Sequence, residues 1–129
     1  QEEEYPDLLG TAQKKGGYPA YPHVSDVVPA VKRAGALVAI AHPFGYFGGY
    51  DLARMDAIRE ECQLDGIECA HASVPPEYTA KYRDYCLQHG LFSTGGSDCH
   101  GDGEIEAKFA IHAGAAEWLD ELLERLDSG

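Results

Sequence analysis

The sequence predicts an α/β protein built on a parallel sheet. Three observations lead there. Apolar segments of strand length recur at residues 36–41, 66–70 and 91–94; helical patterns follow the first two; and the connections between them are short. Each element can be justified in turn from local chemistry.

From Gln1 to about Val24 no periodicity is sustained, and Gly16-Gly17-Tyr18-Pro19-Ala20-Tyr21-Pro22 is dense in turn formers, so residues 1–24 read as a lead-in loop in which Tyr18 and Tyr21 cover a core edge. Residues 25–129 form the folded portion. Ser25 offers an N-cap, and Val27, Val28, Val31 and Ala34 recur at helical spacing, which predicts a helix over 26–34 ended by Gly35. Ala36-Leu37-Val38-Ala39-Ile40-Ala41 is a continuous apolar run, the pattern of a strand buried on both faces. His42-Pro43 stands at its end, and residues 44–50 read as a Gly-rich aromatic loop.

Asp51 caps a helix expected over 52–63, with Leu52, Met55, Ile58 and Cys62 on one face. A second strand is expected at 66–70, then a helix over 75–89 that opens on Pro75, Pro76 and Glu77 and closes at Gly90. Leu91-Phe92-Ser93-Thr94 makes the third strand. Residues 106–113 fit either a short strand or a helical turn. Residues 115–126 form an amphipathic helix with Trp118, Leu119, Leu122, Leu123 and Leu126 on its apolar face.

Composition narrows the function classes. With 44% hydrophobic and 25% charged residues, the 129-residue chain is an ordinary globular domain. Its 22 acidic against 10 basic residues give a net charge of −12, so no basic footprint marks a nucleic-acid backbone, and nucleic acid enters only as a possible substrate. No apolar run approaches the roughly 20 residues of a membrane span, so no membrane partner is expected. Cys62, Cys69, Cys86 and Cys99 lack C-x-x-C pairing and no secretory signal is visible, which favours a reduced, cytoplasmic setting and cysteines that are small core residues.

The chemistry concentrates in Thr94-Gly95-Gly96-Ser97-Asp98-Cys99-His100-Gly101. In an extended segment Asp98 and His100 leave on the same side, with Cys99 on the other, and Gly95 and Gly96 permit close backbone approach. Alone, such a pair is more often a surface turn whose Asp caps neighbouring backbone groups. Parallel α/β folds, however, collect their sites at the carboxyl ends of strands. His42 follows the first strand, Glu68 and His71 end the second, and Asp98 and His100 follow the third.

His42, Asp98 and His100 together make a ligand set of two imidazoles and one carboxylate, suited to Zn, Mn or Fe with positions open for water or substrate. Such an ion would also supply positive charge for an anionic substrate in an acidic protein. Glu68 and His71 are candidates for substrate contact or for orienting a ligand. Competing readings stand beside these: His42 as a strand cap before proline, Glu68 paired with a basic side chain, His71 bound to backbone or water. His23, His89 and His112 are placed outside the site.

Ala41-His42-Pro43, Gly66-Ile67-Glu68 and Gly95-Gly96-Ser97-Asp98-Cys99-His100-Gly101, in this order, resemble the C-terminal half of the PHP (polymerase and histidinol phosphatase) family, over roughly residues 16–101. The resemblance implies a partial distorted (β/α)7 barrel, with three to four parallel strands and flanking helices here. It also implies one to three divalent metal ions at the strand C-terminal rim of the complete site. His42, Asp98 and His100 match metal ligands of the family, and Glu68 matches a motif position. The sequence departs from the family at Phe44-Gly45-Tyr46, where relatives often carry an arginine, and it lacks the family's opening His-x-His motif.

The expected activity is metal-dependent hydrolysis of a phosphoester, on a small phosphorylated metabolite, a nucleotide or a nucleic-acid end. The alternative is a noncatalytic scaffold or a module holding a structural metal. A barrel of this kind needs roughly 200 residues or more, and the first residue is not Met. The chain is therefore expected to be the C-terminal part of a longer protein whose N-terminal half packs against it.

Overall fold

The computed structural model describes residues 22–101, 103 and 112–128. The expected lead-in loop, apart from its last residues, and most of the ambiguous segment 106–113 lie outside them. Eight elements follow in order: α1 (Val24–Arg33), β1 (Ala39–Ile40), α2 (Pro43–Phe47), α3 (Leu52–Cys62), β2 (Gly66–Ala70), α4 (Pro76–His89), β3 (Phe92–Gly95) and α5 (Ala116–Ser128). The three strands form one parallel sheet in the order β1-β2-β3. This is the expected α/β class.

The central strand is β2, and its burial explains its composition. Ile67 and Cys69 point to one face, where they join Met55 of α3, Tyr82, Tyr85 and Cys86 of α4, Val74 and Leu91 in the main core. By strand alternation the other face carries Gly66, Glu68 and Ala70. Gly66 has no room for a side chain, because a Cβ there would lie 2.4 Å from the ring of Phe92 on β3. Cys69 and Cys86 meet in this core with their sulfurs 3.7 Å apart. Hydrogen bonding to Cys86 and then burial push the Cys69 thiol far above its usual range, consistent with a packing role.

At the N-terminal end of the sheet Asp65 ties the strands together. Its carboxylate accepts from Lys32 Nζ on α1 at 2.8 and 2.9 Å and from the Val38 amide at 2.8 Å. Its own amide donates to Val38 O at 2.7 Å, and its carbonyl accepts from the Phe92 amide at 2.8 Å. One residue thereby aligns the starts of all three strands.

Several sequence expectations need correction. The run 36–41 yields only a two-residue strand, with Ala39 exposed and Ile40 half-buried, because β1 is an edge strand with one neighbour among the described residues. The strand buried on both faces is β2. Residues 43–47 form a short helix where a loop was expected: Pro43 takes its first position and is fully buried, and Gly48 closes it in the left-handed conformation. Helix α1 starts earlier than expected, with His23 as the cap whose ring accepts from the Ser25 amide. Asp51 does cap α3, accepting from the Arg54 amide at 3.0 Å, and Met55 and Cys62 are buried, but Leu52 is exposed.

The apolar face of α5 is the largest departure. Trp118 and Leu122 are half-buried, whereas Leu119, Leu123 and Leu126 are exposed, so periodicity marked a helix face that these residues do not cover. Beside the packing of Trp118 against the main core, a polar contact docks α5: Arg83 of α4 donates to both Glu121 oxygens and to Ser93 Oγ, and stands over the Trp118 ring. The Arg83 hydrogen bond holds the Glu121 carboxyl below the usual glutamate range.

Replacing Gly66 with Ala should lower the unfolding free energy by about 1–3 kcal/mol through overpacking against Phe92. The urea midpoint measures this. An unchanged midpoint would mean that the Phe92 ring swings aside freely.

Candidate metal centre

The rim at the strand C-terminal ends is built by two devices, a strained turn after β1 and a glycine-rich exit from β3. His42 has φ 28° and ψ 60°, an unusual conformation for any non-glycine residue and one that the following proline further disfavours. Conformations of this kind cost about 1–3 kcal/mol and persist only where the surroundings enforce them. Here the His42 amide donates to Glu68 Oε2 at 2.8 Å. His42 sits at the N-cap of α2, yet its side chain makes no cap hydrogen bond. Its ring lies against His71, with centroids 4.6 Å apart, and against Tyr46 at 4.8 Å.

His71 leaves the end of β2 and is 6% exposed. Its Nδ1 lies 2.8 Å from Ser73 Oγ and 3.0 Å from the Ser73 amide, which fixes the ring plane. Its Nε2 is buried with no hydrogen-bond partner and lies 3.3 Å from Asp98 Oδ2. A buried, unsatisfied ring nitrogen is costly. Because the Ser73 amide donates to Nδ1, the neutral ring carries its proton on Nε2, and the Asp98 carboxylate is the acceptor set before it.

After β3, Gly96 returns its amide to Ala70 O at 2.9 Å. Gly95 faces backbone and Gly96 the tip of a side chain. A Cβ on Gly95 would lie 2.7 Å from His112 O and 2.8 Å from Gly114 N, and one on Gly96 would lie 2.6 Å from Glu68 Oε1. The chain then turns through Asp98 at φ 51°. Asp98 and His100 therefore do not converge by strand alternation, as their spacing suggested. They face each other across a turn, with His100 Nε2 3.6 Å from Asp98 Oδ1.

The His100 tautomer follows from its contacts. Its Nδ1 lies 2.8 Å from the Asp98 carbonyl oxygen, and since a carbonyl only accepts, Nδ1 carries the proton. In the neutral ring the lone pair is then on Nε2, toward the carboxylate. A backbone carbonyl on one ring nitrogen is the usual partner of a metal-binding histidine.

All five residues singled out in the sequence thus lie along one rim. The ligand-capable atoms of His42, Glu68 and His71 lie within 4.8 Å of one another, Asp98 approaches His71, and His100 approaches Asp98. His71 is the residue whose place in this chain of contacts its sequence position did not reveal, because a strand-end histidine has no motif that reports burial. Cys99 is exposed, its sulfur 3.6 Å from Gly101 O. His89 stacks on Tyr85, 4.2 Å between centroids, well along α4 from the rim.

An open cleft of about 400 Å³ adjoins His71 and Ser73, bounded by Val74, Pro75, Thr79 and His112. Its size suits a small molecule. A larger hollow of about 540 Å³ lies between Leu37, Leu87, Leu91 and Arg125 at the opposite ends of the strands and shares no residue with the rim.

Comparison with known proteins places this geometry in context. No family model matches the chain. It is 38% identical over 85 residues to a phosphoribosyl 1,2-cyclic phosphate 1,2-diphosphodiesterase of Eggerthella lenta, covering 63% of this chain and 29% of that protein. It is 34% identical over 99 residues to a 3′,5′-nucleoside bisphosphate phosphatase of Chromobacterium violaceum, covering 70% of this chain and 33% of that protein. The chain therefore spans about a third of the length of the curated relatives it matches.

Among solved structures, a candidate metal-dependent phosphoesterase of Bifidobacterium adolescentis superposes with a TM-score of 0.63 at 31% identity, over 84% of this chain and 39% of that one. An amidohydrolase of Chromobacterium violaceum, solved with bound sulfate and no metal, superposes with a TM-score of 0.57 at 26% identity, over 85% and 41%.

The Gly95 contacts make a specific prediction. Gly95→Ala should push residues 112–114 off the rim, since the facing atoms are backbone and cannot rotate away, at a cost of about 1–3 kcal/mol. Trp118, the single tryptophan, packs directly over Gly114. Its fluorescence should shift to longer wavelength in the variant, and an unshifted spectrum with wild-type stability would refute the contact.

Proposed function

We propose that this chain, which belongs to the PHP family of metal-dependent phosphoesterases, supplies part of the rim at which its protein hydrolyses a small phosphorylated compound. Candidate substrates are a cyclic phosphoribosyl phosphate or a nucleoside bisphosphate, after the relatives' names. A further segment of the same protein would complete the barrel and the rest of the site. The observation that carries the reading is the orphaned, buried Nε2 of His71, aimed at Asp98 beside His42.

The donor set fits a divalent ion such as Mn, Zn or Fe. His42, Asp98 and His100 would hold it, as their motifs suggested, and His71 would orient Asp98 through its Nε2–H. The chemistry supplied by a bound ion would be that of a Lewis acid: charge neutralisation at a phosphoryl oxygen and easier deprotonation of the attacking water. The protein's own contribution is orientation. The Ser73 amide donates to His71 Nδ1, which in the neutral ring puts the proton on Nε2, toward Asp98, whereas the Asp98 carbonyl accepts from His100 Nδ1–H and leaves the His100 Nε2 lone pair for the site. The adjoining cleft gives room for the non-phosphate part of a substrate.

The test is phosphate release by the full protein with added Mn, from a nucleoside 3′,5′-bisphosphate and a cyclic phosphoribosyl phosphate. Asp98→Asn should lower kcat/KM by at least the roughly 10–100-fold that loss of even an outer-shell partner costs, and chelation should abolish turnover. Equal activity in wild type and variant would remove Asp98 from the mechanism. Metal retained without turnover on any phosphoester would favour the scaffold reading.

A further inference from the structure

We infer that Glu68, although its carboxylate lies among the ligand-capable atoms of the rim, is a positioning residue that braces His42 and not a metal ligand. The inference rests on the metal reading for its consequence, but its geometry stands without any ion.

The carboxylate of Glu68 already serves the backbone of the rim through one oxygen. Oε2 accepts the His42 amide at 2.8 Å. Oε1 lies under Gly96, so close that a Cβ there would sit 2.6 Å away. One side chain on the central strand thus reaches the loops leaving both neighbouring strands. The strand itself is adapted to this, because the β2–β3 register shifts between Glu68 and Ala70, the step that returns the Gly96 amide to Ala70 O.

The brace acts on the backbone that most needs it. His42 is held at φ 28° directly before a proline, a conformation with no local reason to persist. A charged acceptor on its amide is a stronger restraint than a neutral one. With the amide held and Pro43 buried, the His42 ring is set against both His71 and Tyr46. Glu68 therefore acts on a bound ion through the placement of His42.

The two roles differ in what a glutamine can replace. Glu68→Gln keeps an oxygen that accepts from the His42 amide but removes the negative charge a ligand would contribute. Glu68→Ala removes both. In the metal-free chain, hydrogen exchange of the His42 amide read by NMR should be slow in wild type and Glu68→Gln and at least tenfold faster in Glu68→Ala. In Mn titrations of the full protein, Glu68→Gln should bind within about threefold of wild type. Glu68→Ala should bind roughly 10–100-fold more weakly, the usual loss on removing an orienting partner.

Gly96→Ala offers a check with the wild-type carboxylate in place: it should also speed His42 exchange, by displacing Oε1, and adding Glu68→Ala should bring no further increase. The inference is overturned if Glu68→Gln loses Mn affinity as fully as Glu68→Ala while His42 exchange is unchanged in both, for that is the behaviour of a ligand. The exchange measurements need no metal. Failure of the wild-type protein to bind Mn would count against the functional reading and leave exchange to decide the role of Glu68.

Discussion

A strand buried on both faces must find a partner for every backbone amide and carbonyl, because water cannot reach them. In this chain β2 is that strand, and the rest of the described structure is arranged to meet its demand. β1 and β3 pair with it on either side in parallel register. α4 covers one face through Tyr82, Tyr85 and Cys86. The carboxylates that begin and interrupt the strand, Asp65 and Glu68, then do at its two ends what the ladder cannot do: they tie in the backbone of β1 where pairing stops.

This arrangement explains why the rim can hold strain. β1 is only two residues long and half-exposed, so it cannot by itself impose the conformation of His42. The restraint comes across the sheet, from Glu68, and from the burial of Pro43 beneath the turn. The exit from β3 is restrained in the same way, with Gly96 held by Ala70 and Gly95 by the passage of residues 112–114. Histidine and aspartate side chains on either side of β2 thereby face one another without making hydrogen bonds that would fully satisfy them, and His71 Nε2 is the clearest case.

Much of the fold was legible because it depends on local chemistry. The helices that follow cap and proline signals, α3 and α4, and the amphipathic α5 begin within a residue or so of the expected places. The aspartate cap at Asp51 and the left-handed stop at Gly90 are as the sequence suggests. Errors arose where tertiary contacts override pattern. Apolar runs report a preference for burial and not whether a neighbour exists to provide it, so 36–41 and the α5 face were both read as more buried than they are. The helix at 43–47 was hidden because Phe44, Gly45 and Tyr46 carry no helical pattern. It forms where Pro43 is buried and Gly48 can turn left-handed.

By itself the sequence determined the order of elements, the parallel sheet and the identity of the rim residues, since strand ends, caps and the Asp98/His100 motif are written in contiguous residues. Only the tertiary structure decided how those residues divide their roles. Alternation along an extended chain brings Asp98 and His100 together on paper. In the fold they meet across a left-handed turn, and Asp98 also meets His71, 27 positions earlier in the chain. Glu68, read from the sequence as a substrate-contacting or orienting residue, has its carboxylate on a backbone amide 26 positions away. The physical reason is range: propensity, capping and alternation act over a few residues, but burial, strain and the sharing of a carboxylate depend on segments that only folding brings into contact.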